Sequence, residues 1–179
     1  LERYGFLISY DEGKISYLET ISKKVEGVGH FEPLRHYAEV HVLLEPLERG
    51  RGLVFENKCQ RNTLPINFQN LVMTHLQEIR HHGVLTGSPI TDMKLTLVTG
   101  KAHLKHTEGG DFREATYRAI RQGLKRTESF LLEPYYQFEM VVDQNVSSKV
   151  IYDLDTFHSD YQISYEDDLT IIKGKAPVR

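Results

Sequence analysis

The sequence predicts an α+β fold. Apolar residues alternate with period two in several short runs, two longer segments carry them on one helical stripe, and Gly, Pro and polar clusters separate the runs. The 179 residues suffice for one medium domain with a real core, or for one small domain plus pieces of others.

The elements follow in order. Gly5 to Ile21 reads as extended, with Ile15 and Tyr17 alternating against Lys14, Ser16 and Leu18. Lys24 to Pro33 holds Gly27, Gly29 and Pro33 and reads as a linker. Over 34–44, Tyr37, Glu39, His41 and Leu43 share one face, and Ala38, Val40, Val42 and Leu44 the other, which predicts a strand that Pro46 stops. Gly50-Arg51-Gly52 is a turn, Leu53-Val54-Phe55 opens a second strand, and a hairpin is the simplest join. Cys59 to Pro65 is a polar loop. Asn67 then caps a helix whose stripe is Phe68, Leu71, Val72, Leu76 and Ile79, with Gly83 as its C-cap. Gly87 and Pro89 turn the chain into a third strand, Met93, Leu95 and Leu97. A polar loop runs from Thr99 to Gly110. Asp111 caps a second helix with the stripe Phe112, Ala115, Ala119, Ile120 and Gly123, and Pro134 closes that unit. In the tail, Tyr136, Phe138, Met140 and Val142 alternate as a strand. Asn145 caps a short helix bearing Val146, Val150, Leu154 and Phe157, and strands follow at Ile163–Tyr165 and Leu169–Ala176. That order matches most of a β-α-β-β-α-β unit without its last helix and strand.

Bulk properties narrow the classes. Hydrophobic content is 40%, charged content 26% and net charge −3, the balance of a soluble globular protein. A single cysteine, Cys59, forms no internal disulfide and favours a reducing compartment such as the cytoplasm. No run of about 18 apolar residues is present, so no membrane span is expected. A start at Leu1 and an end at Arg179 suggest a piece of a longer protein.

Four stretches, taken together, carry a resemblance. They are Tyr17-Leu18-Glu19-Thr20-Ile21, Tyr37-Ala38-Glu39-Val40 through Leu44-Glu45-Pro46, Leu131-Leu132-Glu133-Pro134, and Val150-Ile151 with Asp153-Leu154. In this order the chain resembles the C-terminal half of translational GTPases of the elongation factor G type, including tetracycline ribosomal protection proteins. The resemblance implies that 1–21 is the end of domain III, 22–130 is domain IV, and 131–179 is part of domain V. It implies a ribosomal protein S5 domain 2-like fold with a left-handed β-α-β crossover, flanked by partial ferredoxin-like domains. It also implies a cytoplasmic, ribosome-binding segment whose tip loops meet rRNA of the A-site decoding region. GTP and Mg2+ would belong to the full-length protein. No G-x-x-x-x-G-K-[ST] phosphate loop occurs in these residues, so this chain has no cradle for a triphosphate, no cofactor of its own and no GTPase activity to offer.

The RNA-binding candidates follow. By position, the loop Lys101 to Gly110 corresponds to a family tip loop, and Lys101, His103, Lys105 and His106 supply cations and flat rings for phosphates and bases. Gln60, Arg61 and Asn62 form the second tip loop. The helix over 111–127 places Arg113, Tyr117, Arg121 and Lys125 along one side, with Arg118 and Gln122 beside them. Between Lys101 and Arg126, seven Lys or Arg face three carboxylates, a local charge of +4, whereas 153–168 carries Asp153, Asp155, Asp160, Glu166, Asp167 and Asp168. Such asymmetry favours an oriented encounter with RNA.

Other chemistries have less support. His103-x-x-His106 with Glu108 or Asp111 has ligand chemistry, but closed structural zinc sites rely on cysteines, so no metal site is assigned. His81 and His82 are read as complementing a helix C-terminal dipole. No nucleophile–base pair is assigned, so catalytic residues are none. Two departures from the family stand out. Resistance-type members carry Tyr and Pro where this chain has His103 to Glu108, although Asp111-Phe112-Arg113 agrees with that branch. Thr156-Phe157-His158-Ser159 replaces the Arg-Arg-Gly run common in elongation factor G. The rival expectation is a non-ribosomal protein-interaction domain that associates, or dimerises, through exposed sheet edges.

Overall fold

The computed structural model describes residues 13–103 and 105–178. They fall into two compact units, one spanning Tyr17–Leu132 and the other built on the residues from Glu133 onward. The extended stretch expected from Gly5 lies outside the described residues as far as residue 12. Past it, only β1 (Leu18–Ile21) is a strand.

The first unit rests on a four-stranded sheet in the order β2-β3-β5-β4. Its strands are β2 (Val25–Phe31), β3 (Ala38–Pro46), β4 (Leu53–Asn57) and β5 (Met93–Ala102). Period-two alternation locates its core. Ala38, Val40, Val42 and Leu44 of β3 and Met93, Leu95 and Leu97 of β5 are fully buried, each of the larger apolar side chains worth about 1.5–3 kcal/mol. Helices α1 (Ile66–Gln77) and α2 (Gly109–Arg126) pack on that sheet and on each other. The expected α2 stripe of Phe112, Ala115, Ala119, Ile120 and Gly123 is buried throughout. From α1, Val72 and Leu76 reach the core, while Ile79 lies beyond the helix and is exposed.

Several expectations are corrected. The Lys24–Pro33 linker is strand β2, paired antiparallel to β3. Its glycines are there for packing: a β-carbon on Gly27 would fall on the Ala119 carbonyl oxygen, and one on Gly29 on that of Ala115. β3 and β4 form no hairpin. β5 lies between them, antiparallel to β3 and parallel to β4. The turn that lets the chain skip a strand is built on buried Asp92, whose carboxylate accepts from Gly50 N (3.1 Å) and Gly52 N (2.8 Å). Both glycines have positive φ, at 82° and 69°. Turn chemistry at Gly50-Arg51-Gly52 alone could not say which strand would enter the gap.

The caps also shift. α1 is preceded by Pro65, not capped by Asn67, and ends near Glu78. Gly83 instead makes room for Glu19, whose carboxylate a β-carbon there would overlap. In α2 the N-cap is Glu108, and Asp111 completes a reciprocal capping box as its third residue. Downstream, β6 (Ser129–Leu132), unrecognised in the sequence, pairs with β1.

The second unit has β7 (Tyr135–Asp143), α3 (Gln144–Thr156), β8 (Asp160–Glu166) and β9 (Leu169–Pro177), an antiparallel sheet in the order β7-β9-β8. Its helix is capped by Asp143, which accepts from Asn145 N at 2.8 Å, rather than by Asn145 itself.

Candidate nucleic-acid interface

One end of the four-stranded sheet carries three connections: 32–37 between β2 and β3, 58–65 between β4 and α1, and 103–108 between β5 and α2. The first and third are tied to each other, and the second to the frame. Tyr37 N donates to the His106 carbonyl (2.8 Å) and the Thr107 hydroxyl to the Tyr37 carbonyl (2.6 Å). Lys58 N donates to the Leu97 carbonyl at 2.9 Å. Leu64 is fully buried against Gly100, where a β-carbon would come within 2.9 Å of its Cδ2. Buried Gln69 donates from Nε2 to the Leu64 carbonyl (2.7 Å) and accepts from Asn57 Nδ2 (3.0 Å). The loop bases are thus fixed, and their polar tips are left to solvent.

The candidate side chains take up two kinds of position. Gln60, Arg61, Asn62, Lys101, His103, Lys105 and His106 are all exposed around this tip. Lys101 stands in β5 rather than in the loop, across from Glu39. The His103 and His106 rings stack, centroids 4.7 Å apart, and the His103 N–H donates to Thr107 Oγ1 at 2.7 Å. On α2, which runs back from the tip, the cations divide. Arg113 Nε lies 3.3 Å from Glu78 Oε1. Tyr117 donates its hydroxyl to the same carboxylate, and burial together with Glu78 pushes its phenol up to about 12. Arg118 donates to the His30 carbonyl (3.0 Å) and lies 5.0 Å from the Phe31 ring centroid. Arg113, Tyr117 and Arg118 therefore brace the fold as well as facing water. Arg121 and Lys125 are exposed and have no ion pair among the described residues.

The sequence reasoning missed the third tip connection. Leu34 at its apex is 91% exposed, and Arg35 beside it has φ 64°. Reading 24–33 as a linker hid the signal, since Pro33-Leu34-Arg35 joins two strands of the sheet at the tip.

The histidines are largely structural. His36 Nδ1 lies 3.0 Å from Asp111 Oδ1. His81 is buried and bonded through Nε2 to the Leu76 carbonyl at 2.9 Å. Burial lowers its pKa, which disfavours the cation at the end of α1. Among the described residues no group of three or more His, Cys, Asp or Glu gathers to hold a metal ion, and no helix is long and apolar enough to cross a membrane. In the second unit the carboxylates of 153–168 are exposed, and Asp155 accepts from the Tyr161 hydroxyl at 2.7 Å.

The family model described as elongation factor G, domain IV matches residues 13–128. The chain belongs to that family. The matched stretch takes in the whole four-stranded sheet, both helices and all three tip connections. A crystal structure of a protein from Thermus thermophilus is similar at 24% identity with a TM-score of 0.85, over 99% of this chain and 27% of that one. The chain thus spans little more than a quarter of that protein's length. The fold of this elongation factor G domain IV chain is the mixed α+β, ribosomal protein S5 domain 2-like one that the resemblance implied.

Proposed function

We propose that this chain is the ribosome-engaging part of a translational GTPase, with the tip of the Tyr17–Leu132 unit entering the A-site decoding region. The observation that carries the reading is the gathering of three braced loops at one end of the sheet. Their exposed ends bear Arg61, Lys105 and two stacked histidines, and Lys101 stands beside them at the end of β5. Cationic side chains on a fixed frame neutralise phosphates without a large ordering cost, which suits folded rRNA. In this reading 1–21 closes domain III, 22–130 is domain IV, and 131–179 begins domain V. The segment works in the cytoplasm without chemistry of its own, and an upstream domain holds GTP and Mg2+.

Two roles fit such a wedge, translocation and antibiotic clearance. Asp111 and Phe112 do not decide between them, because one completes a helix cap and the other fills the core. Ribosome pelleting tests the shared part. The triple variant Arg61→Ala, Lys101→Ala, Lys105→Ala should sediment with ribosomes less than the parent at unchanged thermal stability. Equal sedimentation would reject the tip as the contact. Expressing the whole protein in a tetracycline-sensitive host then separates the roles, since growth on the drug marks protection.

A further inference from the structure

We propose that the free edge of β8 takes up, as an added strand, an extended protein segment with Lys or Arg at both ends. The edge belongs to the second unit, and the role of the tip does not bear on it. In the order β7-β9-β8, β9 pairs with one side of β8, and no strand among the described residues pairs with the other. That side leaves main-chain N–H and C=O groups to water, a template for strand addition. Edge strands are commonly guarded by lysine, proline, a bulge or a covering element. Asp160–Glu166 holds no lysine, proline or glycine, and its register with β9 is unbroken over all seven residues. Each of the seven is exposed or half-buried.

Charge selects the partner. The only charged side chains of β8 are Asp160 at its start and Glu166 at its end. The stretch 153–168 around them carries six carboxylates and no Lys or Arg, and among the described residues none of the six is in an ion pair. A second copy pairing β8 with β8, antiparallel and in full overlap, would set Asp160 against Glu166 at both ends, and like charges directly opposite are destabilising. RNA would bring phosphates to the same carboxylates. A segment with cations six positions apart, roughly 20 Å, meets both carboxylates in either strand direction.

The two faces of β8 set what lies between the cations. Tyr161, Ile163 and Tyr165 alternate onto the α3 side, where the Tyr161 hydroxyl donates to Asp155 at 2.7 Å. Tyr165 is 66% exposed. Aromatic and β-branched side chains favour β-branched neighbours across a strand pair, so valine or isoleucine suits that face. Gln162 and Ser164 on the other face suit threonine. The strand is held before a partner arrives. Ser159 N donates to the Leu154 carbonyl at 3.0 Å before it. After it, Gln144 donates from N to the Asp168 carbonyl (3.1 Å) and from Nε2 to that of Asp167 (3.0 Å). An edge already fixed loses little freedom on binding.

The test uses the full chain and a fluorescently labelled peptide, Lys-Val-Thr-Val-Thr-Val-Lys, blocked at both termini. Anisotropy measures its affinity, and hydrogen exchange of the complex locates it. The peptide should bind and protect amides within Asp160–Glu166. The same peptide with Glu at both ends, or with its backbone amides N-methylated, should not bind. Asp160→Lys with Glu166→Lys should weaken the Lys-ended peptide by about tenfold or more, and Asp160→Asn with Glu166→Gln should fall between that variant and the parent. Both side chains are exposed, and circular dichroism checks that each variant folds. No binding of the Lys-ended peptide, equal binding of the Glu-ended one, binding that survives N-methylation, or unchanged affinity in the charge-reversed variant would each overturn the proposal. So would protection of another strand in place of β8, or self-association that protects β8 without peptide. None of these results would alter ribosome pelleting by the tip variants, so this edge and the ribosome reading fail separately.

Discussion

Gly29 of β2 lies so close to Ala115 of α2 that a β-carbon on the glycine would overlap the alanine's carbonyl oxygen. Gly27 meets Ala119 and Gly123 in the same way two residues earlier. Backbone touches backbone along this seam, and it holds α2 down on the edge strand of the sheet. Because the obstruction is main chain, it cannot swing aside as a side chain would. Gly29→Ala should therefore destabilise the protein by about 1–3 kcal/mol or more, although alanine is the smallest possible addition. Chemical denaturation measures it. A change within about 0.5 kcal/mol, the size of an ordinary surface substitution, would mean the seam opens easily.

Glu19 is 1% exposed, yet it sits ionised in a cradle. Its carboxylate accepts from Leu85 N (2.9 Å), Thr86 N (2.9 Å), Ser88 N (3.1 Å) and Thr86 Oγ1 (3.0 Å). Burial alone would raise its pKa, but these donors together hold it below the ordinary 4.5. With the folded value depressed, the stabilisation is complete above the unfolded pKa and is lost as pH falls through the folded one. Glu19→Ala should cost about 1–3 kcal/mol, because three part-buried backbone N–H donors lose their acceptor. Melting curves of the parent should drop below pH 4.5 more steeply than those of Glu19→Gln. Parallel acid profiles would show that the carboxylate's charge is not what the cradle holds.

His41 has the opposite sign. Its Nδ1 lies 2.6 Å from Glu26 Oε1 and its Nε2 3.1 Å from Glu39 Oε1, on the sheet face away from the core. Burial would lower its pKa, but the two carboxylates outweigh that and raise it above 6.5. A raised folded value contributes stability that is complete below the unfolded pKa and fades as pH climbs through the folded one. His41→Gln should therefore melt lower than the parent below pH 6.5, and the gap should narrow as pH rises above it. A gap that stays constant or widens with pH would rule out the charged histidine as its source.

What was legible in the sequence was what a single residue's period can show. The alternation over 38–44 and 93–97 and the α2 stripe named the core side chains that are fully buried. What escaped depended on partners distant in sequence. Gly27 and Gly29 look like linker residues until α2, roughly 90 positions on, is laid across them. The β3–β4 turn looks like a hairpin until β5 enters the gap beside Asp92. β6 is too short for its alternation to register, and it is a strand because β1 pairs with it. At the site, residue type pointed to exposed cations at the tip, but Arg113 and Arg118 also serve the fold. Glu78 and the His30 carbonyl, their partners, lie 35 and 88 positions away.

That division yields a test within one helix. Arg113 is braced by Glu78, whereas Arg121 and Lys125 have no ion pair among the described residues. If α2 meets phosphates, Arg121→Ala with Lys125→Ala should leave the melting temperature unchanged. The slope of log affinity for ribosomes against log salt should fall by nearly one for each phosphate no longer neutralised. Arg113→Ala should instead lower the melting temperature slightly, because its ion pair is at the surface and Tyr117 still holds Glu78. Salt titrations of sedimentation, read beside melting curves of the same samples, distinguish the two. An unchanged salt slope in the double variant would take α2 out of the interface and leave the RNA to the loops alone.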